Sequence, residues 1–431
     1  MNFVSLVFQS VVHFFYMGRD IALAPDAFSD LALPPAVEIA DEENAYTYFV
    51  QIPEAVVFPD PGNGIGTDEF RQYFYRNKTN ATLVAKALAE NETTLRLIQQ
   101  AAQCEWSVPP AATNFAGVLE VGQASALMQT RELSVAKIKY AVFKNDFDTA
   151  IDDMQTLLRC GHLARQMPRA FLNWLLGWKC EESAMCEMRN LSRNPQLGEQ
   201  HFRRMLGLLD DIPSYAASMQ DVMKTEFWSG MMMLDEFEKE TFDKLPDHPV
   251  KSFILNHNYL PNRTRLLLAQ TYRPAIRELP KNYSDAMRLV DREYKSKEPA
   301  TWELLFIKNV FGKQLLGIIT ISTEDLVVYR CRYDADVAAT KIIVACHLFQ
   351  RATGRKPATL DELVPDYLPA VPPDPFDGAP FRYNPELGVI YSVGKSLTDF
   401  GGTDPTPPER LRGNPWRGKN AIFHIWEEPG N

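Results

Sequence analysis

The sequence predicts a mainly α chain: an α-helical hairpin domain followed by a small α+β domain. Three observations carry this. Apolar residues recur at helical spacing through most of 68–322. Strand-forming aromatic runs and dense Pro/Gly punctuation return only after Gly354. The 431 residues also exceed one ordinary hydrophobic core. The expected division is an apolar segment and Pro/Gly-rich lead-in over 1–67, an α-helical domain over 68–322, and an α+β domain over 323–431.

The first element, Phe3 to Met17, is apolar but interrupted by Gln9 and His13. It is shorter than the roughly 20 residues a spanning helix needs. No basic stretch precedes it and no small-residue cleavage site follows it. Membrane contact through residues 1–17 and a buried or surface-lying helix both remain open. Pro25, Pro34, Pro35, Pro53, Pro59 and Pro61 then punctuate a loop-rich stretch that closes on Gly62, Gly64 and Gly66. That Gly-x-Gly-x-Gly follows no clear strand, so a connector is expected rather than a phosphate cradle. Within the stretch, Asp41 is placed as the N-cap of a helix that starts near Ala45.

Helical spacing begins with Leu83, Ala87, Leu88, Leu95 and Ile98. The clearest unit runs from Leu133 to Ala164. Its turn is at Asn145 and Asp146, Asp148 is placed as the cap of its second helix, and Ile151, Met154 and Leu158 form the expected buried stripe. Asp153 is expected on the outward face. The unit is similar in kind to a tetratricopeptide hairpin, but no strict repeat follows it. Further helices are expected over Met167 to Met188, Gly198 to Leu209, Ser214 to Phe237, Asn262 to Leu279 and Tyr283 to Tyr294. Short connections and few strands argue an antiparallel helical layer. Met231, Met232 and Met233 are read as a core or interface stripe.

After Gly354, Thr359 to Glu362 has the spacing of a capping box. Phe381 to Tyr383 and Val389 to Val393 read as strands joined by a turn at Pro385 to Gly388, and Ala421 to Trp426 is a third candidate strand. The helix before them supplies Val327, Val328, Val337, Ile342, Ala345, Leu348 and Phe349 to this layer. A fragment from Asp325 to Asn431 is therefore expected to fold alone.

Composition excludes some function classes. The formal net charge is −10, and an acidic surface repels phosphate backbones, so nucleic acid is not an expected partner. Cys104, Cys160, Cys180, Cys186, Cys331 and Cys346 form no C-x-x-C pair and read as small buried hydrophobes rather than a disulfide framework. There is no H-E-x-x-H, G-x-S-x-G or P-loop signature. His162, His201, His248, His257, His347 and His424 are dispersed. The adjacent pairs Asp152-Asp153, Glu181-Glu182 and Asp210-Asp211 point about 100° apart on a helix, and with Glu236, Glu238 and Glu240 they read as solvated faces. No catalytic residue is assigned.

The stretch from Asp336 to Gly402 has a recognisable order. It contains Gly354-Arg355-Lys356-Pro357, Leu360, Glu362-Leu363 and Val371-Pro372-Pro373-Asp374-Pro375. Gly378, Pro380, Tyr383, Tyr391-Ser392-Val393-Gly394 and a loop from Asp399 to Asp404 follow. This module resembles the globular domain of type II secretion major pseudopilins. The whole chain resembles a group of bacterial envelope proteins common in planctomycetes, which place an N-terminal anchor and a Leu-rich helical domain before such a module. The matching pieces are Asp41 to Tyr46, Asp146 to Ala164 and Pro261-Asn262-Arg263-Thr264. Because the module begins only at Asp336, the chain is not expected to be processed and assembled as a pseudopilin is. The resemblance implies a cell-envelope location, with the cytoplasm as the alternative. It also implies calcium at the acidic loop, with Asp399 and Asp404 as ligands and Gly401 and Gly402 turning carbonyls inward. A Gly/Pro surface loop with solvated acids is the competing reading. The function expected is a non-catalytic envelope protein that binds a protein partner or supports an assembly. A hydrolase with its site in a cleft of the helical domain is the alternative.

Overall fold

The chain is described by a computed structural model over residues 20–33, 38–57, 81–109, 121–167, 171–212, 215–243, 259–294, 309–403 and 415–426. The apolar segment Phe3 to Met17, the glycines at 62–66 and Asp404 lie outside these residues. The fold is mainly helical, with one three-stranded antiparallel sheet near the C-terminus. No helix among the described residues is long and apolar enough to cross a membrane.

Two short helices, α1 (Ala45–Phe49) and α2 (Ile52–Ala55), open the helical part, followed by α3 (Ala81–Glu90) and α4 (Glu92–Gln103). Asn44, not Asp41, caps α1: its Oδ1 accepts from the N–H of Tyr46 at 3.2 Å. The Asn44 amide also pairs with both backbone groups of Val108, which ties α1 to the segment after α4. The acids 41–43 instead form a separate 3-10 turn.

The centre of the molecule is a trio of long helices, α5 (Val121–Phe143), α6 (Phe147–Gln166) and α7 (Phe171–Ser192), each packed on the other two. The α5–α6 turn forms as the spacing suggested. Asn145 adopts a left-handed φ of 57°, which asparagine tolerates well. The cap of α6 is Asp146, whose Oδ1 accepts from Thr149 N–H at 3.2 Å. Asp148 lies inside the first turn and pairs with Arg204 at 2.7 Å. Ile151, Met154 and Leu158 are buried in the main core. Asp153 is not outward: it is only 5% exposed and holds Lys137 at 2.6 Å. Helix α6 is covered by α4, α5, α7 and by α8 (Glu199–Asp210), so little of its surface meets water. Burial pushes the Asp153 carboxyl above its ordinary pKa, and Lys137 opposes that shift. Asp153→Asn is expected to cost about 1 kcal/mol, the scale of one buried hydrogen-bonded partner lost, when measured by urea unfolding.

Helices α9 (Tyr215–Asp243), α10 (Pro261–Glu278), α11 (Tyr283–Tyr294) and α12 (Val310–Ile319) extend the layer. The lead-in is bound to it. The Asp20 carboxylate accepts from the N–H groups of Asn262 and Arg263 at 2.7 and 3.1 Å, filling two orphan donors at the start of α10. Arg273 grips Asp30 with two hydrogen bonds at 2.7 and 2.8 Å, and Trp228 donates to Leu31 O. Residues 20–31 of the lead-in are therefore hydrogen-bonded to the helical layer.

Helix α13 (Thr323–Thr353) begins at the boundary read from the sequence, where Ser322 Oγ accepts from Asp325 N–H at 3.1 Å. Its first half, with Leu326, Val327, Cys331 and Tyr333, is buried in the core of the helical layer. Its second half, with Ala335, Ala339, Ile342, Ile343 and Phe349, is buried against the C-terminal strands. Strands β1 (Arg382–Asn384), β2 (Val389–Ser392) and β3 (Ala421–His424) form a sheet in the order β1-β2-β3, with Arg382 opposite Tyr391 and Tyr391 opposite Ile422. Arg193, just past the end of α7, reaches the sheet, its Nη2 donating to His424 O at 2.6 Å, and Arg189 on α7 donates to Thr340 on α13 at 2.6 Å. A cut before Asp325 would strip the cover from Leu326, Val327, Cys331 and Tyr333. That is the physical objection to autonomy of the 325–431 fragment.

Candidate functional site

The acidic loop can be followed as far as Thr403. Asp399 is exposed, yet both of its oxygens are engaged. Oδ1 accepts from Tyr391 Oη–H at 3.1 Å and from Gly401 N–H at 2.8 Å, and Oδ2 accepts from Arg382 Nε at 3.1 Å. The Gly401 N–H, with Tyr391 and Arg382, holds the Asp399 carboxyl below its ordinary pKa despite partial burial. Arg382 also donates to Asp377 at 2.6 Å and to Asp374 at 3.3 Å. One guanidinium thus meets three carboxylates, each through a different nitrogen.

Asp374 is the hub of this arrangement and is completely buried. Its Oδ1 accepts from Phe376 N–H and Ser392 Oγ–H, and its Oδ2 from Val393 N–H and Arg382. The Pro-rich loop is thereby bonded to the end of β2. Burial raises the pKa of the Asp374 carboxyl, and the hydrogen bonds from Phe376, Val393 and Ser392 oppose it. Sequence reasoning missed Asp374, Asp377 and Arg382 as a unit. The signal was present as an Asp-Pro followed three residues later by Gly378, then an arginine at a strand start.

These partners bear on the Asp399 half of the calcium expectation alone, because Asp404 lies outside the described residues. Calcium takes six to eight oxygen ligands. Around Asp399 stand a guanidinium, a phenol hydroxyl and a backbone N–H, which are donors. A described environment of this kind fits an arginine-held turn, and calcium at Asp399 would have to displace Arg382. Among the described residues, no group of three or more His, Cys, Asp or Glu is placed to hold a metal ion. Arg382→Gln is expected to lower stability by about 1–2 kcal/mol, the scale of charge-assisted hydrogen bonds lost. Calcium at about 10 mM, above the range of extracellular calcium modules, is expected to leave the melting temperature of the full chain unchanged. A rise with calcium that Asp399→Ala abolishes would support the metal instead.

The alternative of a cleft in the helical domain rests on perturbed carboxylates; burial raises several, among them Asp153, Glu187, Glu226 and Asp334, and pushes Glu181 and Asp336 furthest. The pair Glu181-Glu182 is not a solvated face. Glu181 is 1% exposed on α7, and its Oε1 accepts from Arg165 Nε and Nη2 at 3.2 and 2.9 Å. Burial pushes the Glu181 carboxyl up to about 7, opposed by Arg165 and by a bond from Tyr333. Asp336 on α13 is also enclosed, and burial pushes it up to about 7 against the pull of Arg189. Trp416 Nε1 donates to Asp336 at 3.4 Å. Both carboxylates face packed helices and an aromatic ring. Of the other adjacent acids, Asp152 pairs with Arg204 and Asp210 with Lys341 at the surface. Glu236 and Glu240 are exposed, while Glu238 accepts from Tyr259 and Arg265.

Two of the described histidines bond to the backbone of the fold. His201 Nδ1 accepts from Gly198 N–H at 3.0 Å and so completes the cap of α8. His347 is buried against Trp426, its Nε2 lies 2.9 Å from Ile425 O, and burial pushes its pKa down to about 4. His162 is likewise pushed down to about 4, by burial first and then by Arg165. All six cysteines are free, and five are buried as read from the sequence, but Cys186 is exposed. Thr359 makes no side-chain capping bond. Glu362 instead binds Arg355 and accepts from Ala358 N–H.

No family model, curated protein or solved structure matches the chain.

Proposed function

We propose that the chain is a non-catalytic bacterial cell-envelope protein that acts as a protein-interaction or assembly component, with a secretion-pseudopilin-like C-terminal domain. The observation that carries this is the placement of the perturbed charges. Glu181, Asp336 and His347 are each enclosed by packed side chains and bonded within the chain. Such groups hold helix layers in register, whereas a general acid or base has to reach a substrate. The helical hairpins and the sheet supply rigid surfaces, and Trp106, Met128, Phe143 and Leu172 present large apolar side chains on the helical part. The envelope location rests on the module's motif order from Gly354 to Gly402.

Fractionation of the native host tests this reading. The full chain, tagged and expressed at its natural level, is expected to sediment with envelope membranes and to migrate on a sizing column as a larger complex. Recovery in the soluble fraction at the size of the free chain would contradict it.

A further inference from the structure

A pocket of about 220 Å³ opens where α13 meets the C-terminal module. Its wall contains Arg332 from α13, Lys395 and Ser396 from the turn after β2, and Lys419 from the turn before β3. Trp416 and Phe376, with ring centroids 5.8 Å apart, form its aromatic side. Among the described residues no carboxylate lines it, although the chain as a whole carries a net charge of −10. Three cations therefore gather in one concavity of an acidic protein.

Their partners sharpen the point. Lys395 is shared with Glu324 at 2.5 Å, outside the lining. Arg332 lies over the Trp416 ring at 5.6 Å, and Lys419 lies 5.8 Å from the Phe400 ring centroid. Among the described residues, neither has a carboxylate partner. Half-buried arginines are normally paired, because desolvating a cation without an anion is costly. The backbone at this place is also fixed: Gly394 has φ +59°, and a Cβ there would come within 3.0 Å of Lys419 O. The two turns that carry the lysines are therefore in contact and hold the lysines on the same opening.

We infer that this pocket binds a small organic anion, a carboxylate or phosphate on a planar apolar group. The charged head would meet Arg332, Lys395 and Lys419, and the planar part would lie against Trp416 and Phe376. The volume, roughly that of seven liquid waters, suits one ring and its head group rather than a dinucleotide. The site is distinct from the Arg382 cluster and does not depend on the envelope reading.

Isothermal titration of the full chain with phenyl phosphate, benzoate and neutral benzyl alcohol tests this. Both anions are expected to bind and the alcohol is not, and binding is expected to weaken as salt rises from about 50 to about 500 mM. The comparison of phosphate with benzoate identifies the preferred head group. Lys419→Gln and Lys395→Gln lie on exposed turn positions, so both variants are expected to fold, and each is expected to weaken binding about two- to fivefold, the worth of one screened ion pair. No heat with either anion at about 5 mM, equal binding of the alcohol, or wild-type affinity in both lysine variants would overturn the assignment.

Discussion

Arg165→Met is expected to lower the unfolding free energy by about 3–5 kcal/mol at about pH 8, because it leaves Glu181 buried without its cation. The double change Arg165→Met, Glu181→Met is expected to recover most of that loss, since both desolvated charges are then gone. The effect should depend on pH, and its sign follows from the folded-state pKa. The Glu181 carboxyl ordinarily titrates near 4.5 and is pushed up to about 7 in the fold. Between these values the native state holds a proton that the unfolded state has released, so the contribution of Glu181 to stability falls as pH rises through this window, against the opposite slope that His162 and His347 add below about pH 6.5. Asp336, also raised to about 7, adds to the same slope. Below about pH 5 Glu181 is neutral whether or not Arg165 is present, and the single change should cost much less there. Glu181→Gln should flatten the wild-type slope. Urea midpoints at four pH values between about 5 and 8 measure all of this. A cost for Arg165→Met that is equal at both ends would mean that Glu181 stays ionised throughout.

Gly177→Ala is expected to destabilise by about 3 kcal/mol, although alanine is the better helix former. Gly161 on α6 and Gly177 on α7 face each other where the two helices meet backbone to backbone. A Cβ on Gly177 would stand 2.5 Å from Gly161 O and 2.6 Å from Arg165 Cγ. A Cβ on Gly161 would stand 2.6 Å from Gly177 O and 2.5 Å from Glu181 Cγ. The obstacle is backbone, so the helices have to separate, and the separation also disturbs the Arg165–Glu181 pair one turn away. Gly207 on the exposed side of α8 has nothing within 4 Å of its Cβ position. Gly207→Ala is expected to stabilise by about 0.5–1 kcal/mol, the helix-propensity gain alone. Equal effects of the two alanines in thermal melts would remove the close crossing from the account.

Much of the fold was legible because periodicity is a local property. The α5–α6 hairpin, the start of α13 at Ser322 and the strands around Tyr383 and Ile390 all fall where spacing and turn residues place them. Caps were read less well. Asp41, Asp148 and Thr359 are good capping residues, but Asn44 and Asp146 reach the open N–H groups of α1 and α6 instead, and Thr359 makes no capping bond. The larger failures concern charge. A carboxylate on a helix reads as solvated unless its partner is known, and the partners of Asp153 and Glu181 lie 16 residues away on neighbouring helices. Asp374 illustrates the same limit, because two of its hydrogen bonds come from the end of β2 and the residue after it, 18 and 19 residues later. Long-range pairing of this kind is a consequence of topology and leaves no trace in composition. The Arg332, Lys395 and Lys419 pocket was illegible for the same reason.

Site-specific photo-cross-linking in living host cells tests the proposed role most directly. A photoreactive residue is placed at an exposed apolar position, either Phe143 or Ile318, which are 54% and 82% exposed. The interaction reading expects one discrete heavier adduct, formed at natural expression level and retained in the Glu181→Gln, Asp336→Asn variant, whose buried charges serve only the fold. A folded chain at normal abundance that forms no adduct from either position, or an adduct lost in that variant while its melting temperature is kept, would contradict it.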